Sequence, residues 1–278
     1  MRDEDLQVAH DYSEGQREAA HRVLVEIVNL LSSFRDDMRI IGGWVPDLMF
    51  PDMEHIGSVD VDVLLNHVHL KEAGYMSIER ILLRNGYRKH PEKYFSYVKD
   101  ILIADITYAV DLDILAGKYN GTDESKRSQR VQGIHALKAS GGNFAFDFPA
   151  KMITITAKRP DGSIDVASVG VVAVVPYLVM KSLALGRGKP KDAYDIYFTV
   201  KNYPGGIDAL ADEFRVVSGK ELVSDMIQKL KGKFASVDHA GPADVADFLG
   251  ETDDEAYAFH KRDAYEQIDK LLGKISQV

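Results

Sequence analysis

Residues 38–65 read MRIIGGWVPDLMFPDMEHIGSVDVDVLL, and this stretch decides the fold that we predict. Its first residues, Met38–Ile41, form a short apolar run that ends at Gly42 and Gly43. An apolar run closed by two glycines is typical of a strand followed by a turn. Residues 44–50 leave room for one or two helical turns. The stretch therefore begins with a predicted strand, a turn and a short helix.

The second half of the stretch predicts another strand. Residues 58–65 alternate polar and apolar side chains with a period of two, which is the pattern of a half-buried strand. Because successive side chains on a strand point to opposite faces, Asp60 and Asp62 are predicted to share one face. Two neighbouring carboxylates suit a hard divalent cation such as Mg²⁺, which prefers oxygen ligands.

A further predicted strand, residues 101–115, carries Asp111 and Asp113 among Val, Leu and Ile residues. Burying a carboxylate without a partner is costly, so a cation is the natural compensation. Either Asp111 or Asp113 can complete a metal site with Asp60 and Asp62. Two Mg²⁺ ions held by such a site can activate an attacking hydroxyl and stabilise the pyrophosphate that leaves.

The glycine pair suits a phosphate-bearing ligand. Without a Cβ atom at Gly42 or Gly43, backbone N–H groups can approach phosphate oxygens closely. Each of these parts is common by itself. Their order along the chain, strand, Gly-Gly turn, helix, Asp-x-Asp strand, helix and carboxylate strand, is much more specific. It predicts nucleotidyl transfer from a nucleoside triphosphate (NTP).

The rest of the chain completes an α/β (α+β) prediction. Residues 14–34 place apolar side chains at helical spacing and are predicted to form an amphipathic helix. The polar stretch 117–132 is predicted to be a long loop. We expect a mixed twisted sheet with flanking helices, the nucleotidyltransferase fold, in a domain of residues 1–175. A mainly helical C-terminal domain, 176–278, follows.

Composition limits the class of protein. The chain has 278 residues, 34 basic and 43 acidic, a net charge of −9, and 45% hydrophobic residues, which is typical of a globular protein. It has no cysteine, which excludes disulfides, Cys zinc sites and thiol catalysis. The charged N-terminus does not resemble a secretory signal, and the longest apolar stretch, 169–180, is too short to span a membrane. We therefore expect a cytoplasmic protein without a membrane partner.

The sequence resembles the DNA polymerase β-like nucleotidyltransferase superfamily. The resemblance rests on Ile40-Ile-Gly-Gly-Trp44 and on Ser58-Val-Asp-Val-Asp62, which match the superfamily's glycine turn and Asp-x-Asp strand. Within the superfamily, the chain is most similar to the AbiEii-type toxin nucleotidyltransferases. Their second signature looks like Lys181-Ser-Leu-Ala-Leu, Arg187 and Lys191-Asp-Ala-Tyr-Asp195.

This resemblance implies roles for the acidic residues and for one lysine. Asp60 and Asp62 would bind two Mg²⁺ ions, and Asp113 would be the third carboxylate, with Asp111 as the alternative. Lys181 would contact the triphosphate of the NTP, the alternative being a solvated helix face. The resemblance assigns a further set of residues to the nucleotide-binding region: Gly42, Gly43, Ser58, Arg187, Lys191, Asp192 and Asp195. Of these, Lys191, Asp192 and Asp195 would fix a helix against the site.

The resemblance also suggests partners. The transferred nucleotide would come from an NTP, and the acceptor would be a hydroxyl of RNA, protein or a small molecule, with the tRNA 3′ end first among them. By the same resemblance an antitoxin protein would accompany the chain. Antibiotic modification is an alternative, because Gly-Gly-Trp44 followed by Asp47 is similar to aminoglycoside and lincosamide nucleotidyltransferases. A non-catalytic binding module of the same fold is the other.

Overall fold

The computed structural model describes residues 8–70, 77–117 and 128–276, with the side chains of residues 128–130 excepted. These residues form two compact units. The first, which we call the sheet unit, consists of Ser13–Met49 and Gly57–Ala173. The second, the helical unit, is built within the described residues from 8–12, Phe50–Ile56 and 174–276.

The sheet unit contains one mixed sheet. Its described strands are β1 Met38–Ile41, β2 Val61–Leu65, β3 Arg88–Lys89, β4 Ser96–Ile103, β5 Ile106–Gly117, β6 Ser128–Val131, β7 Ile134–Ala139, β8 Lys151–Lys158 and β9 Ile164–Val171. The main path runs β3-β4-β5-β2-β1-β9-β8, and β7 pairs with both β5 and β6. Most neighbours are antiparallel, whereas β2 and β5, β1 and β9, and β5 and β7 are parallel.

Within the described residues, the α-helices of the sheet unit are α1 Glu14–Leu30, α2 Trp44–Met49 and α3 Ile78–Arg84. Helix α1 begins at a capping box, because the Ser13 hydroxyl accepts a hydrogen bond from the backbone N–H of Gln16 at 3.2 Å. Its apolar stripe, which includes Val23 and Ile27, is fully buried where α1 packs against β5, β8 and β9. The amphipathic pattern predicted for residues 14–34 thus produces the helix that covers the sheet.

The helical unit contains α4 Val174–Ala184, α5 Pro190–Lys201, α6 Gly206–Arg215, α7 Glu221–Lys233, α8 Ala240–Leu249 and α9 Asp254–Ser276. Helix α5 lies against α4, α8 and α9 and is buried along most of its length. Among the described helices, none combines the length and the apolar character needed to cross a membrane.

The predicted α/β class, with a mixed sheet, flanking helices and a helical C-terminal region, is confirmed at that level. Several predicted boundaries were wrong. The strand predicted over 101–115 contains a hairpin turn at Ala104 and Asp105, whose φ angles of 47° and 66° reverse the chain between β4 and β5. Strand β2 begins at Val61, so Asp60 lies just before it. Of the predicted loop 117–132, residues 118–127 lie outside the described residues, and Ser128–Val131 form β6.

Candidate active site in the sheet unit

Strand register brings two of the predicted carboxylates together. Asp62 on β2 is paired with Asp113 on the adjacent parallel strand β5. Ile41 on β1 pairs with Asp62 on the other side, and Ser96 on β4 pairs with Asp113. Residues in register on adjacent strands project from the same face of a sheet. Asp62 and Asp113 are therefore neighbours in one row across four strands.

Asp60 is held beside this row by two contacts. Its carboxylate accepts a hydrogen bond from the Ser58 hydroxyl at 2.5 Å, and its backbone carbonyl accepts one from the indole N–H of Trp44 at 2.7 Å. Its negative charge contributes to raising the pKa of Asp113, which shows that the two carboxylates act on each other. We call Asp60, Asp62 and Asp113 the carboxylate site. Of the predicted nucleotide-binding residues, Gly42, Gly43 and Ser58 lie around it.

Gly42 is required where it stands. It has a φ of +73°, and a Cβ atom built on it would lie 1.8 Å from the Asp62 carboxylate oxygen Oδ2. The absence of a side chain therefore lets the Asp62 carboxylate rest against the turn between β1 and α2, which Gly42 and Gly43 form.

We expect Gly42→Ala to lower stability by about 1–2 kcal/mol for the left-handed backbone and further for the clash with Asp62. Gly162→Ala is the matched control, because Gly162 has a similar φ of +84° and nothing within 4 Å of an added Cβ. Urea denaturation of both variants measures the difference. Combining Gly42→Ala with Asp62→Ala should restore the part of the lost stability that is due to the clash. Equal destabilisation by the two glycine substitutions would contradict this account of Gly42.

Asp113 is the most perturbed group of the site. Its Oδ1 atom is buried and has no hydrogen-bond partner among the described residues. Burial, together with the charges of Asp60 and Asp111, raises the pKa of Asp113 to about 7, although Ser96 and Lys93 act in the opposite direction. A buried carboxylate oxygen without a donor is a suitable ligand for a hard cation.

This pKa shift predicts how stability depends on pH in the absence of divalent cations. In the unfolded chain Asp113 loses its proton near pH 3.8, whereas in the folded protein it keeps the proton until about pH 7. The contribution of Asp113 to stability should therefore fall as pH rises from about 4 to 7 and then level off. His55, whose pKa is lowered to about 4, contributes with the opposite sign over this range, so the Asp113 effect is measured as a difference between variants. Urea denaturation in EDTA at pH 5 and pH 8 measures the effect. The stability of the wild type relative to Asp113→Asn should fall from pH 5 to pH 8, whereas its stability relative to Asp105→Asn, in the exposed β4–β5 turn, should not change. A pH-independent difference between the wild type and Asp113→Asn would contradict the assignment.

Asp111 has a different environment. It lies two residues before Asp113 on β5, and its carboxylate is 3.3 Å from the Lys93 ammonium and 3.9 Å from His90 Nε2. A carboxylate with its own cation is less in need of a metal ion than Asp113. Lys93, His90 and Ser96 are not predicted as site residues, because none of them lies in a recognisable motif: His90 and Lys93 lie in the connection before β4, and Ser96 is the first residue of β4. The structure favours Asp113 over Asp111 as the third carboxylate.

The carboxylate site suits a divalent cation by its donors but is not arranged around one. Among the described residues, no group of three or more His, Asp or Glu side chains could hold a metal ion as they stand. The oxygen donors, the unpartnered Oδ1 atom of Asp113 and the mutual repulsion of the carboxylates fit Mg²⁺. Binding would require side-chain rotation at Asp60, Asp62 or Asp113.

The other predicted site residues form an ion cluster within the helical unit, in which both aspartates are buried and Arg187 is exposed. Lys181 on α4 lies 2.8 Å from carboxylate oxygens of both Asp192 and Asp195 on α5. Arg187 pairs with Asp192 at 2.9 Å, and Lys191 pairs with Asp195 at 2.9 Å. We call these five residues and His55 the ion cluster.

Burial and charge act against each other in this cluster. Burial alone would raise the pKa of Asp195, but the ammonium groups of Lys181 and Lys191 and a hydrogen bond from His55 hold it well below its usual range. Burial lowers the pKa of His55 to about 4, so at neutral pH the uncharged imidazole donates its Nε2–H to Asp195 at 3.0 Å. The anionic partner that a buried lysine requires is thus provided for Lys181 by two aspartates. Contact between Lys181 and a triphosphate stays a prediction.

Comparisons with protein-family models, with curated proteins and with solved structures find no match to this chain.

Proposed function

We propose that the chain is a Mg²⁺-dependent nucleotidyltransferase that moves a nucleoside monophosphate from an NTP to a hydroxyl acceptor. The observation that carries the proposal is the pairing of Asp62 with Asp113 on adjacent parallel strands. Asp60 lies beside them, and the Gly42 turn contacts Asp62. Carboxylates from two strands beside a glycine turn are the parts that this reaction needs.

Each part has a task in this proposal. Asp60, Asp62 and Asp113 would hold the metal, and burial of Asp113 would keep competing water away from it. When bound, Mg²⁺ activates the acceptor hydroxyl and stabilises the pyrophosphate leaving group. Backbone N–H groups of the Gly42–Gly43 turn would orient the phosphates. By resemblance to the nucleotidyltransferase superfamily, Asp113 would be the carboxylate that bridges to the acceptor hydroxyl.

We further propose an RNA acceptor, first of all the tRNA 3′ end, and an antitoxin protein that restrains the activity. The support is the resemblance of the two sequence signatures to the AbiEii-type toxins. Antibiotic modification is tested by the same experiment, because a small-molecule acceptor would be labelled in place of RNA.

The test supplies the protein with each of the four NTPs labelled at the α-phosphate, with Mg²⁺ and with tRNA, protein or aminoglycoside acceptors. Transfer of label to an acceptor, and its loss in EDTA, is the expected result. Absence of both label transfer and pyrophosphate release with every NTP and acceptor would contradict the proposal and favour a non-catalytic binding module.

A further inference from the structure

The sheet unit has a cleft of about 480 Å³ that the carboxylate chemistry does not use. Its walls are the N-terminal half of α1, the first turns of α2 and the end of β8, which contribute aromatic, basic and acidic side chains. This volume is typical of pockets for small molecules. The side chains around it indicate which class of ligand it fits.

Two rings form one wall of the cleft. The imidazole of His21 stacks on the indole of Trp44, with ring centroids 5.4 Å apart and an angle of 27° between the planes. Trp44 is buried at 4% exposure, whereas His21 is half-buried. Burial lowers the pKa of His21, which favours the uncharged ring at neutral pH. The outer face of this pair is a platform on which a planar base can stack.

Arg17 and Lys158 supply positive charge to the cleft. The Nε atom of Arg17 is buried and has no hydrogen-bond partner among the described residues. The Lys158 ammonium lies at the end of β8, where its charge contributes to lowering the pKa of Glu18. Arg22, in contrast, is paired with Glu18. A buried donor without an acceptor is unfavourable, and a phosphate group in the cleft would satisfy it.

Carboxylates also line the cleft, and they limit the ligand. Glu14 and Asp47 lie on its wall together with the Glu18 that Arg22 neutralises. A ligand that carries only phosphates would be repelled by these groups. A ribonucleotide has both an anionic phosphate and ribose hydroxyls, and a carboxylate accepts hydrogen bonds from hydroxyls. Its base, its phosphate and its ribose hydroxyls thus match the aromatic, basic and acidic side chains of the cleft.

Trp44 connects the cleft with the carboxylate site. Trp44 follows the glycine turn directly, and its indole N–H donates to the backbone carbonyl of Asp60. We propose that this cleft binds a ribonucleotide, with its base on His21 and its phosphate between Arg17 and Lys158. The proposal deepens the proposed function, on which it rests, by naming a nucleotide subsite. The ribonucleotide is either the free NTP or the terminal nucleotide of an RNA acceptor.

The test uses the protein's single tryptophan, Trp44, as the probe. Fluorescence titrations of the full chain in EDTA with each NTP, and with a short RNA that ends in an unpaired nucleotide, measure binding without transfer. Isothermal titration calorimetry repeats the measurement independently of Trp44. We expect Arg17→Gln and His21→Ala to weaken binding about tenfold or more. Lys151→Gln, an exposed cation on β8 outside the cleft, is the matched control and should bind as the wild type does.

The source of the ribonucleotide follows from which titration responds. Loss of NTP affinity in the variants assigns the cleft to the donor, and loss of RNA affinity assigns it to the acceptor. Lys158→Gln provides a third variant if His21→Ala does not fold, as judged by circular dichroism. Wild-type affinity in all cleft variants, or no binding of either ribonucleotide, would overturn this inference. Ribonucleotide binding at the cleft without any transfer in Mg²⁺ would overturn the proposed function alone.

Discussion

Asp62→Asn and Asp113→Asn are each expected to reduce nucleotide transfer by roughly a thousandfold or more, which corresponds to about 4 kcal/mol of transition-state stabilisation. Each substitution keeps the shape of the side chain and removes the negative charge that a metal ligand requires. Because the two residues are in register on β2 and β5, losing either one removes half of the carboxylate pair that would hold the metal between these strands.

The fold should survive these substitutions, because removing one of several repelling carboxylates relieves repulsion in the metal-free protein. Asp105→Asn is the matched control, since this exposed turn residue has a φ of 66°, which asparagine adopts readily. Transfer of α-phosphate label and circular dichroism measure activity and folding. Transfer at the wild-type rate in folded Asp62→Asn or Asp113→Asn would refute the carboxylate site.

Asp195→Ala is expected to destabilise the helical unit by about 3–5 kcal/mol. Its side chain is fully buried and contacts Lys181, Lys191 and His55. Without Asp195, buried positive charge loses a partner, and the His55 N–H loses its acceptor. Asp212→Ala should cost less than about 1 kcal/mol, because its ion pair with Arg215 is exposed. Urea denaturation followed by circular dichroism compares the two.

The pH dependence of this effect has a definite sign. Because the folded protein depresses the pKa of Asp195, its stabilising contribution is present at neutral pH and is lost as the pH falls below the ordinary aspartate value near 3.8. The difference between wild type and Asp195→Ala should therefore shrink in acid. Equal destabilisation by Asp195→Ala and Asp212→Ala at pH 7 would contradict the importance of the ion cluster.

Local patterns predicted the centre of the sheet unit well. The β1 run, the glycine turn, α2 and the alternation of β2 are each encoded within a few residues. Prediction failed where the local pattern did not change: residues 101–110, ILIADITYAV, contain no Gly or Pro, so the turn at Ala104 and Asp105 was read as strand. The turn forms because β4 pairs with β5, and such pairing cannot be recognised from a short stretch of sequence.

The candidate site was also predictable only where local patterns indicate it. Alternation indicated that Asp113 shares a face with Asp111, whereas the register of Asp113 with Asp62 and the pairing of Asp111 with Lys93 are visible only in the structure. The ion cluster could not be assembled from sequence, since His55 and Asp195 are 140 residues apart. The cleft likewise depends on α1, α2 and β8, which are distant along the chain.

The segment Phe50–Ile56 has a consequence for how this chain can be divided. It belongs to the helical unit, although both of its ends continue into the sheet unit, as does the end of residues 8–12. Neither unit is therefore a continuous piece of the gene. A fragment that starts at Val174 would lack His55, the donor to Asp195, and a fragment that ends at Ala173 would carry Phe50 and His55 without the α5 residues they contact. Because the helical unit is made of three separate segments, it cannot be transferred to another protein as one continuous piece. The two units are therefore expected to be inherited together.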